Sequence, residues 1–236
     1  MSIEKRLKNC IKAYDRVVKG IDTAALESDD RAYGGIIRAG KGKLVESLAE
    51  ALVETAWCSV LGQSKKRLEM NRSKMKIHLK DGYIDRIEDP KVRDYLIKNN
   101  NKIVYKFGTD VHVYIDGKLI MPIECKAYTE NAMMKRILFD AVLMKEAKGL
   151  DKYYLLQLES QLGGDYSLLN EITYGSPATH VLMSHVDVDL EIITLLKGER
   201  RVKRPIHKQE FYKPLHYEAL ERAVNIFATD LERYAK

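Results

Sequence analysis

Cysteine is scarce in this chain, with three residues in 236, Cys10, Cys58 and Cys125. They are odd in number, far apart and form no Cys-x-x-Cys pair, which argues against a zinc or dithiol redox motif and leaves free thiols. Phenylalanine is also rare, 4 residues against 14 tyrosines, a balance that suits a wet polar interface. Long apolar runs are missing. Charge interrupts every hydrophobic stretch well before the roughly 18 to 20 residues of a membrane span, so no transmembrane segment is expected. The N-terminus, MSIEKRLKNCIKAYDRVVKG, interleaves charge with apolar residues and lacks the apolar core and cleavage site of a signal peptide. A cytoplasmic protein is the expectation. There is no internal repeat and no low-complexity segment. Gly40-Lys41-Gly42-Lys43 lacks the spacing and hydroxyl residue of a phosphate-binding loop.

What is present fits a soluble globular chain with enough length for one generous domain and its core. Hydrophobic residues make up 45% and charged ones 31%. Lysine and arginine exceed aspartate and glutamate by 40 to 34, a net charge of +6. That excess is gathered in places. Lys65-Lys66-Arg67 is followed by Arg72, Lys74 and Lys76, and the segment Lys197 to Lys208 carries Arg200, Arg201, Lys203 and Arg204. Such loops can neutralise phosphates, and a solvated basic loop is the competing account.

Periodicity places the elements. Ile3, Leu7, Cys10, Ile11, Tyr14, Val17 and Val18 predict an amphipathic helix over 3–19, and Leu44, Val45, Leu48, Leu52 and Ala56 another from Gly42 to Leu61. Residues 20–40, with Asp22, Ser28, Asp29, Asp30, Gly34, Gly35 and Gly40, read as a loop. Strands are predicted at 75–79, 103–107, 111–115, 153–158 and 180–184, and helices at 90–97, 130–148 and 217–234. Strand, helix, strand order predicts an α/β layer with a right-handed crossover.

The chemistry gathers in GTDVHVYIDGKLIMPIECKAY, residues 108–128. Asp116-Gly117 is a hairpin turn signal, which returns Glu124 to the neighbourhood of Asp110. Two carboxylates that close repel unless a cation shares them or one is protonated. A hard divalent ion such as Mg²⁺ takes oxygen ligands and keeps waters for a substrate phosphate. Lys126 stands two residues beyond Glu124, on the same strand face. Its ammonium can contact a phosphate, position an attacking water and stabilise charge in the transition state. Cys125 points the other way, but its backbone carbonyl faces the same neighbourhood and joins Asp110 and Glu124 as a candidate metal ligand. His112 shares a face with Asp110 when counted by two, as a satisfied strand polar group or a ligand; His180, His185, His207 and His216 show no zinc-like spacing.

An acidic residue opening a hairpin, with Glu124-Cys125-Lys126 at its far end, resembles the PD-(D/E)XK nucleases and their type II restriction endonucleases. Thr109 stands where that family often has proline. The resemblance implies a mixed central β-sheet flanked by helices, the restriction-endonuclease-like fold, in a single nuclease domain over 1–236. It also implies catalytic roles for Asp110, Glu124 and Lys126, with one or two Mg²⁺ ions and hydrolysis of double-stranded DNA. A glutamate on an early helix often completes such sites, which makes Glu46 a fourth catalytic candidate, with Glu50 and Glu54 on the same face as a rival solvated stripe. Asn131-Ala132-Met133-Met134-Lys135-Arg136 is similar to the base-reading Asn-Ala-x-x-Arg element of the EcoRI-like branch, so Asn131 and Lys135 or Arg136 become DNA-binding candidates. Cutting a two-fold site implies a homodimer, with helices 3–19 and 217–234 as interface candidates or as plain core. A junction resolvase or repair nuclease, and a non-cleaving DNA-binding protein, are the alternatives.

Overall fold

The computed structural model describes residues 2–26, 30–169 and 175–235. Helix α1 (Ile3–Leu26) buries Leu7, Cys10, Tyr14, Val18, Ile21 and Ala25, one face at helical spacing. Helix α2 (Asp30–Glu54) passes into a π-helical turn, Thr55–Val60, that buries Trp57. The expected loop over 20–40 is therefore mostly helix, while Ser28 and Asp29 lie outside the described residues. Glycine costs about 1 kcal/mol inside a helix, but tertiary packing overrides that preference here. A Cβ at Gly40 would fall 2.3 Å from Ile21 Cδ1, so the bare backbone lets α2 approach α1 closely.

Strand β1 (Leu68–Asn71) precedes an excursion that holds β2 (Met75–His78), helix α3 (Pro90–Asn99) and β3 (Val104–Phe107). Then follow β4 (Val111–Ile115), β5 (Lys118–Glu130), α4 (Asn131–Lys148), β6 (Lys152–Gln161), α5 (Pro177–Ser184), β7 (Asp189–Thr194) and α6 (Tyr217–Leu231). Five strands form a mixed sheet in the order β1-β4-β5-β6-β7, and β2 pairs with β3 in a separate ribbon. The first three sheet strands are antiparallel; β5, β6 and β7 run parallel through α4 and α5. This is the predicted α/β architecture.

Two local readings fail. Residues 180–184 lie in α5 and not in a strand. Ser176 accepts a hydrogen bond from the Thr179 amide at 3.2 Å and Pro177 starts the first turn, both helix-start signals. A short apolar run reads alike in helix and strand, and the parallel strand is Asp189–Thr194 instead. Strand β1 was also hidden in a polar stretch.

Helices α1, α2 and α6 cover one face of the sheet, where Leu7, Tyr14, Leu48, Leu52, Trp57, Val224 and Phe227 meet Val111, Val113, Ile123 and Leu156. Full burial of each large side chain contributes about 1.5–3 kcal/mol. The apolar stripes of the two candidate interface helices are thus spent in the chain's own core. On the other face, α4 sets Met134, Ile137, Leu138 and Met144 against Tyr153, Leu155 and the ribbon's Phe107.

Candidate active site

Strands β4 and β5 meet at Asp116 and Gly117, whose φ values of 50° and 79° make the tight turn that the Asp-Gly pair predicts. Arg67 clamps the turn through two nitrogens on the Asp116 carboxylate. The register then sets Val111 opposite Ile123. One step further the ladder stops, because the Asp110 side chain takes the place of a strand: its Oδ2 accepts a hydrogen bond from the Cys125 amide at 2.8 Å. Beyond this fork β5 continues alongside β6 alone. Asp110 and Glu124 are brought together, as the hairpin predicts.

Ile123 and Cys125 lie in the core under α2, so alternation turns Glu124 and Lys126 toward α4. The Lys126 ammonium bonds Asp110 Oδ2 at 3.1 Å, Glu124 Oε1 at 2.5 Å and the Cys125 carbonyl oxygen at 3.2 Å. Those three oxygens are the ones singled out as metal ligands. A side-chain cation occupies the point on which they converge. Glu124 is 4% exposed, and burial, with Asp110 adding to it, lifts its carboxyl above the ordinary range despite Lys126. Burial works against the Lys126 charge, but Glu124 and Asp110 outweigh it and raise that pKa.

The donor set suits one kind of metal. Among the described residues no group of three or more His, Cys, Asp and Glu side chains is arranged around a metal position. Two carboxylates and a carbonyl are hard oxygen donors, which suit a hard divalent cation that keeps several of its waters.

The chain is 45% identical over 232 residues to the type II restriction enzyme DdeI of Desulfomicrobium norvegicum, with 97% of each chain covered. It belongs to the type II restriction enzymes. No family model matches it. Among solved structures it is similar to a native BbvCI A2B2 tetramer, at 13% identity and a TM-score of 0.37 over 97% of this chain and 89% of that one.

In this restriction enzyme two buried groups that sequence reasoning missed interact electrostatically with the candidate site. Asp140 on α4 is 7% exposed; burial raises its carboxyl, with Arg136, 3.7 Å away, and Lys126 pulling the other way. The signal was available. Ile137, Asp140, Ala141 and Met144 form one i, i+3, i+4, i+7 stripe, and an acid on such a stripe is out of place unless it has work to do. Tyr153, on β6, has a buried hydroxyl without a hydrogen-bond partner among the described residues. Burial first, then Glu124, Asp140 and Asp110, push its phenol far up.

Other candidates fall into different positions. Glu46 and Glu50 both pair with Arg72, just past β1, the Glu50 contact at 2.9 Å. Glu46 also helps raise the Cys125 thiol, which burial dominates. It lies on α2, whose Val45 and Leu48 share a core with Cys125. His112 is fully buried and accepts a hydrogen bond from the Thr109 amide through Nε2 at 3.1 Å.

Asn131 spends its amide on α5, donating to Ser176 Oγ at 3.2 Å and accepting from Thr179 Oγ1 at 2.7 Å. These bonds tie the start of α4 to α5. Lys135 and Arg136 on the same turn are exposed. Arg200 stacks 3.6 Å over the Tyr128 ring and bonds Gln161, so it anchors its loop to the ends of β5 and β6. Arg201, Lys203 and Arg204 project from that anchor into solvent. Arg201 and Arg204 line a cleft of about 420 Å³ with Lys197 and Lys213.

Proposed function

We propose that this type II restriction endonuclease is of the PD-(D/E)XK kind, and that it hydrolyses double-stranded DNA at a short specific site with Mg²⁺. The supporting observation is the convergence of Asp110, Glu124 and the Cys125 carbonyl on one cation, the Lys126 ammonium. These three groups would hold Mg²⁺, which when bound lowers the pKa of a bound water and polarises a phosphate oxygen. Asp110 is held ready by the Cys125 amide. Lys126, once free of the carboxylates, reaches the scissile phosphate, orients the attacking water and stabilises the negative charge that grows on the phosphate oxygens. Asp140 orients Lys126 from α4. Glu46 acts through Arg72 and the local field rather than by touching substrate.

Base readout in this reading falls to Lys135 and Arg136, as in the EcoRI-like branch, with Asn131 fixing α5 beside them. Arg201, Lys203 and Arg204 hold backbone phosphates, and Arg200 fixes their loop. A homodimer places one site on each strand of a two-fold sequence. The protein acts in the cytoplasm as a single nuclease domain, and no described helix is long and apolar enough to cross a membrane.

The test is cleavage of plasmid DNA and of a four-way junction with Mg²⁺ and with EDTA. Discrete plasmid fragments that need Mg²⁺ are expected. Junction-only cutting would move the assignment to structure-specific nucleases, and no cutting by folded protein would refute it.

A further inference from the structure

Segment 72–107 leaves the sheet after β1 and returns two residues before Thr109-Asp110, so the β2–β3 ribbon is joined directly to the catalytic fork. Its register sets Met75 opposite Phe107, Lys76 opposite Lys106, Ile77 opposite Tyr105 and His78 opposite Val104. Side chains alternate across a ribbon. One side, with Met75, Ile77 and Phe107, packs on the α4 core. The outer side sets the exposed Lys76 directly across from the exposed Lys106. Lys74 lies over Gly108 on the same ribbon, where a Cβ added to the glycine would stand 3.5 Å from Lys74 Cγ.

Like charges directly opposite on neighbouring strands destabilise the pair. Several neighbouring cations are neutralised within the chain: Lys65 by Glu54, Arg67 by Asp116, Arg72 by Glu46 and Glu50, Lys80 by Glu146. The side chains of Lys74, Lys76 and Lys106 make no hydrogen bond or ion pair among the described residues. A repulsive pair left without a counter-charge, beside a fork that handles phosphodiesters, is relieved by an anion shared between the two ammonium groups.

We propose that Lys74, Lys76 and Lys106 form a phosphate-binding row that grips the DNA backbone next to the cut site. The inference rests on the endonuclease reading and adds to it a contact surface separate from the catalytic oxygens. A rival role is edge protection, since lysines on ribbon edges block edge-to-edge aggregation.

The experiment measures duplex binding by fluorescence anisotropy in EDTA over a series of KCl concentrations, with the melting temperature of the free protein alongside. Each phosphate contact contributes about 0.9 to the slope of log K against log salt. Lys76→Gln and Lys106→Gln should each lower that slope by about one. Each should also raise the melting temperature, because each removes a repulsion. Lys76→Glu builds a cross-strand ion pair with Lys106, so it should stabilise the free protein further and weaken DNA binding further. Lys80→Gln, at a cation already paired with Glu146, should leave the slope unchanged. Opposite signs for stability and binding are the signature of the row. Wild-type slopes in the Gln variants would overturn it, as would a fall in melting temperature with aggregation. Absence of DNA binding by the wild type would overturn the endonuclease reading as well, whereas unchanged variants of a DNA-binding wild type would overturn the row alone.

Discussion

The two faces of the central sheet bury different chemistry. Under α1, α2 and α6 the contacts are mostly apolar, with Leu7, Leu52, Trp57 and Phe227 fully enclosed. Under α4 the interior also takes in Glu124, Asp140, the Tyr153 hydroxyl and His112, each with its charged or polar form disfavoured by burial. The first face supplies stability that the second consumes. A sheet with both faces optimised for packing would have no place for a cation among oxygens, and marginally stable proteins accept such costs at functional sites.

The largest effects should separate the faces cleanly. Asp110→Ala, Glu124→Ala and Lys126→Ala are each expected to lower the cleavage rate by about three orders of magnitude, the scale of losing a preorganised charge, with folding retained and with Lys126→Ala still binding DNA in a gel shift. On the opposite face, Phe227→Ala should cost about 3–5 kcal/mol in urea unfolding. Its surviving folded fraction should cut at the normal rate. A core variant that lost turnover per folded molecule, or an Asp110 variant that kept it, would break the division of labour.

The same contrast governs what the sequence revealed. The hairpin was legible because its determinants are local: alternating valines and isoleucines, one Asp-Gly turn, and an acid and a lysine two residues apart. Helices α1, α4 and α6 were legible through their apolar stripes. What stayed hidden depends on partners distant in the chain. Gly34, Gly35 and Gly40 look like loop residues until α1 is seen packed against α2. Strand β1 is a polar stretch until β4 pairs with it, and residues 180–184 are helical because of Ser176 and Pro177 before them. Asn131 has the composition of a base reader, and only the fold brings Ser176 and Thr179 to its amide. Asp140 was legible in principle, as an acid on an apolar stripe.

Asp140 therefore offers an intermediate test. Burial raises its pKa above the ordinary 3.8. A carboxyl with a raised folded pKa contributes stability below the unfolded value and loses it as pH rises through the folded one. Asp140→Asn does not titrate, so its melting temperature should exceed that of the wild type at neutral pH, with the gain disappearing below pH 3.8. Cleavage should fall about 10- to 100-fold, the usual cost of losing a residue that orients a catalytic group. Unchanged cleavage would remove Asp140 from the site and leave it as an unexplained buried acid.

The smallest effect concerns His112, two residues from Asp110 and buried on the same sheet face as Glu124. Its Nε2 accepts the Thr109 amide hydrogen, which only the unprotonated nitrogen can do, and burial holds its pKa below the ordinary 6.5. A depressed folded pKa means that its stabilising contribution is complete above 6.5 and is lost as pH falls through the folded value. The wild-type melting temperature should thus decline by a few degrees on acidification from pH 6.5, and His112→Gln should flatten that decline while starting from a lower value. Should the variant instead decline as steeply as the wild type, the acid sensitivity of this face would belong to another group.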